Sequence, residues 1–114
     1  MPTFAETRTE KQVAEDAAYK ERVLAGIRLL EQKYGLDWVD KIDLDTLNLA
    51  DVHCCVLGQL YDNGTRNGYY NGLRTLNLYD TEGEATRYGF STDHSYNKLQ
   101  RAWETAIKAR RAVG

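Results

Sequence analysis

The segment Cys54-Cys55-Val56-Leu57-Gly58-Gln59-Leu60-Tyr61 is the densest apolar run in a chain that is otherwise polar. Its apolar positions cover more than one face of a helix. A helix of that kind belongs in an interior, so the rest of the chain must be arranged to cover it. Asp51 stands just before it, where a carboxylate accepts from the free amides of a first helical turn. The pattern therefore predicts a buried central helix from Asp51 through Tyr61. Gly58 within that helix costs about 1 kcal/mol relative to alanine, which points to a neighbour packed close against it.

The cover comes from both sides. Val13, Ala17, Val23, Ile27, Leu30 and Tyr34 recur at helical spacing, with charged residues between them, and Gly35 follows as a stop. This predicts one long helix from about Glu10 to Tyr34. Tyr96, Leu99, Trp103 and Ile107 repeat the pattern, with Ala102 and Ala106 beside them and Asp93 or Ser95 as the cap. Lys108, Arg110 and Arg111 fall in the last turn, where cations suit the helix dipole. Between these elements, Trp38, Val39 and Ile42 suit a short helical turn, Leu44 to Leu49 an extended or irregular strap, and Leu73, Leu76 and Leu78 with Tyr79 a short helix. Ala85 to Tyr88 suits one helical turn stopped by Gly89.

With 114 residues, the chain is expected to form one domain. The predicted fold is mainly α: a small helical bundle over residues 10–114, with two long amphipathic helices around a buried central one and a flexible N-terminus over residues 1–9. No apolar run approaches the roughly 20 residues that cross a bilayer, and Met1 to Thr9 lacks a secretory apolar stretch. The expectation is a soluble cytoplasmic protein with no membrane partner. The adjacent Cys54 and Cys55 cannot form an ordinary disulfide with each other and fit a reducing compartment.

Several chemistries can be weighed on these residues. A thiol nucleophile needs a base; the chain has two histidines. His53 is the immediate neighbour of Cys54, and adjacent side chains on a helix diverge by about 100°, while His94 lies on a loop. Space-filling core is the expectation for Cys55. Zinc ligands converge when spaced by two to four residues, which Cys54-Cys55 does not provide. Asp37, Asp40, Asp43 and Asp45 lack the calcium-loop pattern and read as a solvated face. Gly64, Gly68 and Gly72 lack the strand, helix and Lys-Ser/Thr context of a phosphate loop. No catalytic, cofactor-binding or metal-binding residue is assigned, and the chain is read as a non-enzyme.

Surface chemistry is more suggestive. Residues 62–72 hold three Asn-Gly pairs, turn chemistry that predicts an ordered loop. Tyrosine gives large contact area at low entropic cost beside such loops. Tyr61, Arg66, Tyr69, Tyr70 and Tyr79 are the candidate protein-binding residues, set against a reading in which tyrosines cover the core edge. Arg101, Lys108, Arg110 and Arg111 are the alternative set, for a phosphate backbone.

Trp38, the run Ile42-Asp43-Leu44-Asp45-Thr46-Leu47-Asn48-Leu49, then Cys55-Val56-Leu57-Gly58-Gln59-Leu60-Tyr61, Tyr88-Gly89-Phe90, Leu99 and Ala102-Trp103 occur in colinear order. They span roughly residues 24 to 108. In these motifs the chain resembles a group of small proteins encoded by bacteriophages and prophages of actinobacteria. The charged segment Glu6 to Arg22 lies outside the resemblance. The resemblance implies a phage origin and transfers no catalytic residue, cofactor or substrate. The expected function is that of a phage accessory protein, acting in the cytoplasm of the infected host by binding a host or phage protein. A DNA- or RNA-binding regulator and a virion or assembly component are the alternatives. Self-association is left open.

Overall fold

A computed structural model describes residues 10–61, 68–78, 83–92 and 95–113. The described residues are mainly helical and include no strand. Helix α1 is Glu10–Tyr34. A 3₁₀ helix, Leu36–Lys41, follows Gly35. Then come α2 (Val56–Tyr61), α3 (Gly68–Thr75), α4 (Glu84–Arg87) and α5 (Tyr96–Val113).

The boundaries of the long helices follow the sequence signals. Gly35 ends α1 at φ 77° and donates its amide to the Glu31 carbonyl. Ser95 caps α5, its hydroxyl accepting from the Lys98 amide at 3.2 Å. Gly89 ends the short α4 at φ 75°, with Phe90 N–H donating to Ala85 O and Gly89 N–H to Thr86 O. That paired pattern is a Schellman motif. Asn77, at φ 61°, ends α3 in the same way through Leu78 N–H to Leu73 O and Asn77 N–H to Arg74 O.

The central segment differs from expectation. Asp51 begins a tight turn rather than a long helix: its carboxylate accepts from His53 N–H at 2.8 Å, and its carbonyl from the amides of Cys54 and Cys55. Helix α2 starts only at Val56. Gly58 leaves room for this turn. A methyl there would lie 2.6 Å from the Val52 carbonyl oxygen and 2.7 Å from that of His53, so the turn folds back onto its own helix. The expected close approach at Gly58 is present, and the neighbour is the preceding turn.

The expected loop over residues 62–72 also gives way in part. Residues 68–72 are helical, in α3, which packs chiefly on α2. Gly72 makes this contact: a methyl there would meet Tyr61 Cδ2 at 2.7 Å and Leu57 Cβ at 2.9 Å. Packing against α2 thus overrides the turn preference of Asn71-Gly72.

Helices α1 and α5 pack directly on each other and run in the same direction, as Glu15 pairs with Lys98 near one end and Glu31 with Arg110 near the other. Trp103 is the junction. Fully buried, it meets Trp38 edge-on at 6.1 Å between ring centroids and stacks on Phe90 at 5.6 Å. Its indole N–H donates to the Gly89 carbonyl at 2.6 Å. Gly26 lets this happen. A methyl at Gly26 would collide with the Tyr88 carbonyl oxygen and lie 3.2 Å from Trp103 Cζ2 and 3.3 Å from Phe90 Cζ.

The strap over residues 42–49 carries no regular structure, yet its buried residues Ile42, Leu47 and Leu49 belong to the core. Its backbone groups are satisfied by distant side chains. Gln59 accepts from Asp43 N–H at 2.6 Å and donates to the Asp43 and Cys54 carbonyls at 3.1 Å each. Gln100 accepts from Leu49 N–H at 2.9 Å and donates to Leu47 O at 2.5 Å. Arg111 donates to the carbonyls of Val39 and Ile42. Each clamp answers the requirement that backbone polar groups near the core find partners.

The replacement Gly26→Ala is expected to destabilise the fold by about 1–3 kcal/mol through overpacking against the Tyr88 carbonyl and Trp103. Urea unfolding checks it: the midpoint falls and the slope is unchanged.

Candidate protein-binding surface

The candidate tyrosines divide into inward and outward groups. Tyr61, at the end of α2, is half-buried, and its ring packs against Tyr34 at 5.7 Å between centroids and over Gly72. Burial pushes its phenol above the ordinary range, and the neighbouring Tyr34 hydroxyl adds to the shift. Even so, the Tyr61 hydroxyl is buried and makes no hydrogen bond among the described residues. Tyr61 thus sits at the core edge rather than on a contact surface.

Tyr69 and Tyr70 open α3. The Tyr69 amide donates to the Val52 carbonyl at 3.1 Å, tying α3 to the turn before α2. Tyr69 is half-buried against the core, while Tyr70 is 57% exposed. Their rings meet edge to face at 5.2 Å. The pair therefore presents one large aromatic side chain to solvent from a helix held by packing and by a backbone hydrogen bond. Arg66 and Tyr79 lie outside the described residues.

The remaining tyrosines serve the fold. Tyr19 is buried; its hydroxyl accepts from the Ser95 amide at 3.2 Å and lies 3.5 Å from Thr92 Oγ1. Tyr96 shares a 3.3 Å hydrogen bond with Ser91. Both readings of the tyrosines thus have members: Tyr19 and Tyr61 cover the core edge, and Tyr70 faces water.

The basic set also divides. Arg111 is occupied by the Val39 and Ile42 carbonyls, and Arg110 lies 3.5 Å from Glu31. Arg101 and Lys108 are exposed and form no ion pair among the described residues. Seven residues apart, they share one face of α5. The position of Arg111 in the last turn of α5 suggests a helix-dipole role from sequence; its task of holding a 3₁₀ helix and strap some 70 residues earlier in the chain has no sequence signal.

The thiols are unlike those of a nucleophile site. Cys55 is buried, and burial pushes its thiol from 9.0 up to about 11. The Gly58 amide donates to its sulfur at 3.3 Å and partly opposes the shift. Cys54 is half-buried and His53 is exposed; His94 lies outside the described residues. Among the described residues no three His, Cys, Asp or Glu side chains come together as a metal site. Asp37, Asp40, Asp43 and Asp45 are all exposed. Asp43 has a local role as well, its carboxylate accepting from Asp45 N–H at 2.9 Å in an Asx turn that shapes the strap. No described helix is long and apolar enough to cross a membrane.

Comparison with known protein families, curated proteins and solved structures finds no match to this chain.

Two measurements check this placement of side chains. Arg111→Ala is expected to lower stability by about 1–2 kcal/mol, because charge-assisted hydrogen bonds to two carbonyls are lost; thermal unfolding monitored by circular dichroism reads it. Cys55 gives a pH dependence. Its thiol is held neutral in the folded chain but ionises in the unfolded one near its ordinary value. Its contribution is therefore fully present below about pH 9 and lost as pH rises towards about 11, a change on the order of 2 kcal/mol. Urea titrations from pH 8 to 11 are expected to show a steeper fall for the native chain than for Cys55→Ala.

Proposed function

We propose that the chain is a small, non-enzymatic phage-type accessory protein that binds a host or phage protein through the exposed face of α3 around Tyr69 and Tyr70. The observation that carries this reading is the Tyr70 side chain, exposed on a helix whose backbone is tied to the core. A rigidly presented aromatic loses little entropy on binding and is the residue type on which interface energy concentrates. The scaffold is read as two long amphipathic helices around the buried central segment, which leaves α3 at the edge. Arg66 and Tyr79, the other candidates from the sequence, lie outside the described residues. The phage assignment, and action within the infected cell, rest on the motif resemblance.

Burial of Cys55 supports the non-enzymatic reading, since a thiol pushed up to about 11 is a poor nucleophile near neutral pH. The nucleic-acid reading keeps Arg101 and Lys108. It has less support, because Arg110 and Arg111 are spent on Glu31 and on backbone carbonyls.

The test is an affinity pull-down from lysate of an actinobacterial host, with mass spectrometry, comparing the native chain and Tyr70→Ala. Tyr70 is exposed, so the substitution leaves the fold intact. At least a tenfold loss of one partner is expected, about 1.4 kcal/mol or more. Full retention of every partner by Tyr70→Ala and by the Tyr69→Ala, Tyr70→Ala pair rejects this surface.

A further inference from the structure

A second surface lies on the opposite kind of element, between the two long helices. Where α1 and α5 run side by side, their outer edges leave a groove of about 630 Å³. Its floor is apolar: Val23 and Ile27 from α1, Ala102 and Ala106 from α5. The trough exists because α5 places alanines at positions 102, 106 and 109, one per turn, beside the longer side chains of α1. Its α5 rim is cationic, with Lys98, Arg101 and Arg110. Lys98 reaches Glu15 at 2.5 Å and Arg110 faces Glu31, while Arg101 makes no ion pair among the described residues.

The exposed face of α1 complements this groove. Val13, Ala17, Lys20 and Leu24 fall on one stripe at spacings of four, three and four residues. Lys20 and Leu24 line the groove, and the stripe continues past it to Ala17 and to Val13, which is 53% exposed. Glu10 and Glu21 flank the stripe on its outer side, and both are exposed. The chain thus carries, next to each other, a trough with an apolar floor and a basic outer edge, and a ridge of Val13, Ala17 and Leu24, interrupted by Lys20, with an acidic outer edge. Turned about a two-fold axis, two copies would place each ridge in the other's trough.

We propose that the α1/α5 groove receives the N-terminal half of α1 from a second copy of this chain, forming an isologous dimer in which the two α1 helices run antiparallel. Val13 and Ala17 of one copy lie over the alanines of α5 in the other. Glu10 and Glu21 of one copy face the outer edge of α5 in the other, where Arg101 and Lys108 are exposed and form no ion pair among the described residues. A contact of this kind is closed and self-limiting, because the same patch serves both copies. Its small apolar floor and screened charges suit a modest affinity, with a dissociation constant of about 10–100 µM at low salt.

Sedimentation equilibrium of the full chain, from about 5 to 500 µM at low salt, tests it. A monomer–dimer equilibrium is expected for the native chain. Val13→Asp and Ala109→Arg alter exposed positions, so circular dichroism is expected to be native for both. Each is expected to weaken the dimer at least tenfold. Tyr70→Ala, on the other surface, is expected to leave the equilibrium unchanged, which separates this proposal from the partner surface on α3. A chain that stays monomeric at 500 µM overturns the proposal and leaves the groove to a helix from another protein. A dimer of undiminished strength in both groove variants overturns it as well.

Discussion

The indole of Trp103 holds together elements that are remote in the chain. Its ring packs against Trp38 and Phe90, its N–H is satisfied by the Gly89 carbonyl, and its edge rests where Gly26 leaves room. A buried indole N–H without a partner is costly, so the turn after α4 must sit where its carbonyl can accept. Gly89 supplies the positive φ that aims the carbonyl, and Gly26 supplies the space for the turn to approach α1. Three residues thus define one junction. Trp38, on the other side, keeps a buried indole N–H with no hydrogen-bond partner among the described residues; its place is set by packing alone.

Around that junction the fold mixes regular helices with a strap that has little local order. Apolar burial draws Ile42, Leu47 and Leu49 inward, and burial exposes the cost of their unpaired backbone groups. Gln59 from α2 and Gln100 and Arg111 from α5 meet that cost. Asx turns at Asp43, Asn48 and Asp51 do the local work, each side chain accepting an amide two residues on. The run Ile42-Asp43-Leu44-Asp45-Thr46-Leu47-Asn48-Leu49 is this strap. Its alternation of Asp or Asn with Leu has a direct reading: the polar residues bend the chain and the leucines anchor it.

The two long helices were legible because their signal is periodic and local. An apolar stripe, a cap at Ser95 and a stop at Gly35 are all contained in a few residues. Helix α3 was legible only towards its end, where Leu73 suggests a short helix; its start was not, because Asn71-Gly72 favours a turn in isolation and becomes helical only against Tyr61 and Leu57. The same contact explains the partial reading of the candidate surface. Sequence marks Tyr61, Tyr69 and Tyr70 alike as tyrosines beside a Gly-rich segment. Only the packing of Tyr61 over Gly72 sorts inward from outward. The clamps are invisible for a similar reason, since a glutamine bonded to a backbone amide 51 positions away looks like any surface glutamine.

The order in which α1 and α5 occur gives the chain a temporal character. These helices pack side by side, yet residues 35–95 separate them, and Trp103 reaches the turn at Gly89 and the gap at Gly26 from the far side of that interval. Closing so long an intervening segment carries an entropic charge that no local contact offsets in advance. During synthesis α1 can coil early and meet the 3₁₀ helix and α4, but the part of its apolar face that packs on α5 stays uncovered until α5 has left the ribosome. The junction is sealed only once α5 is made, and a chain stalled before Trp103 would display the part of α1 that α5 covers to whatever holds nascent polypeptides.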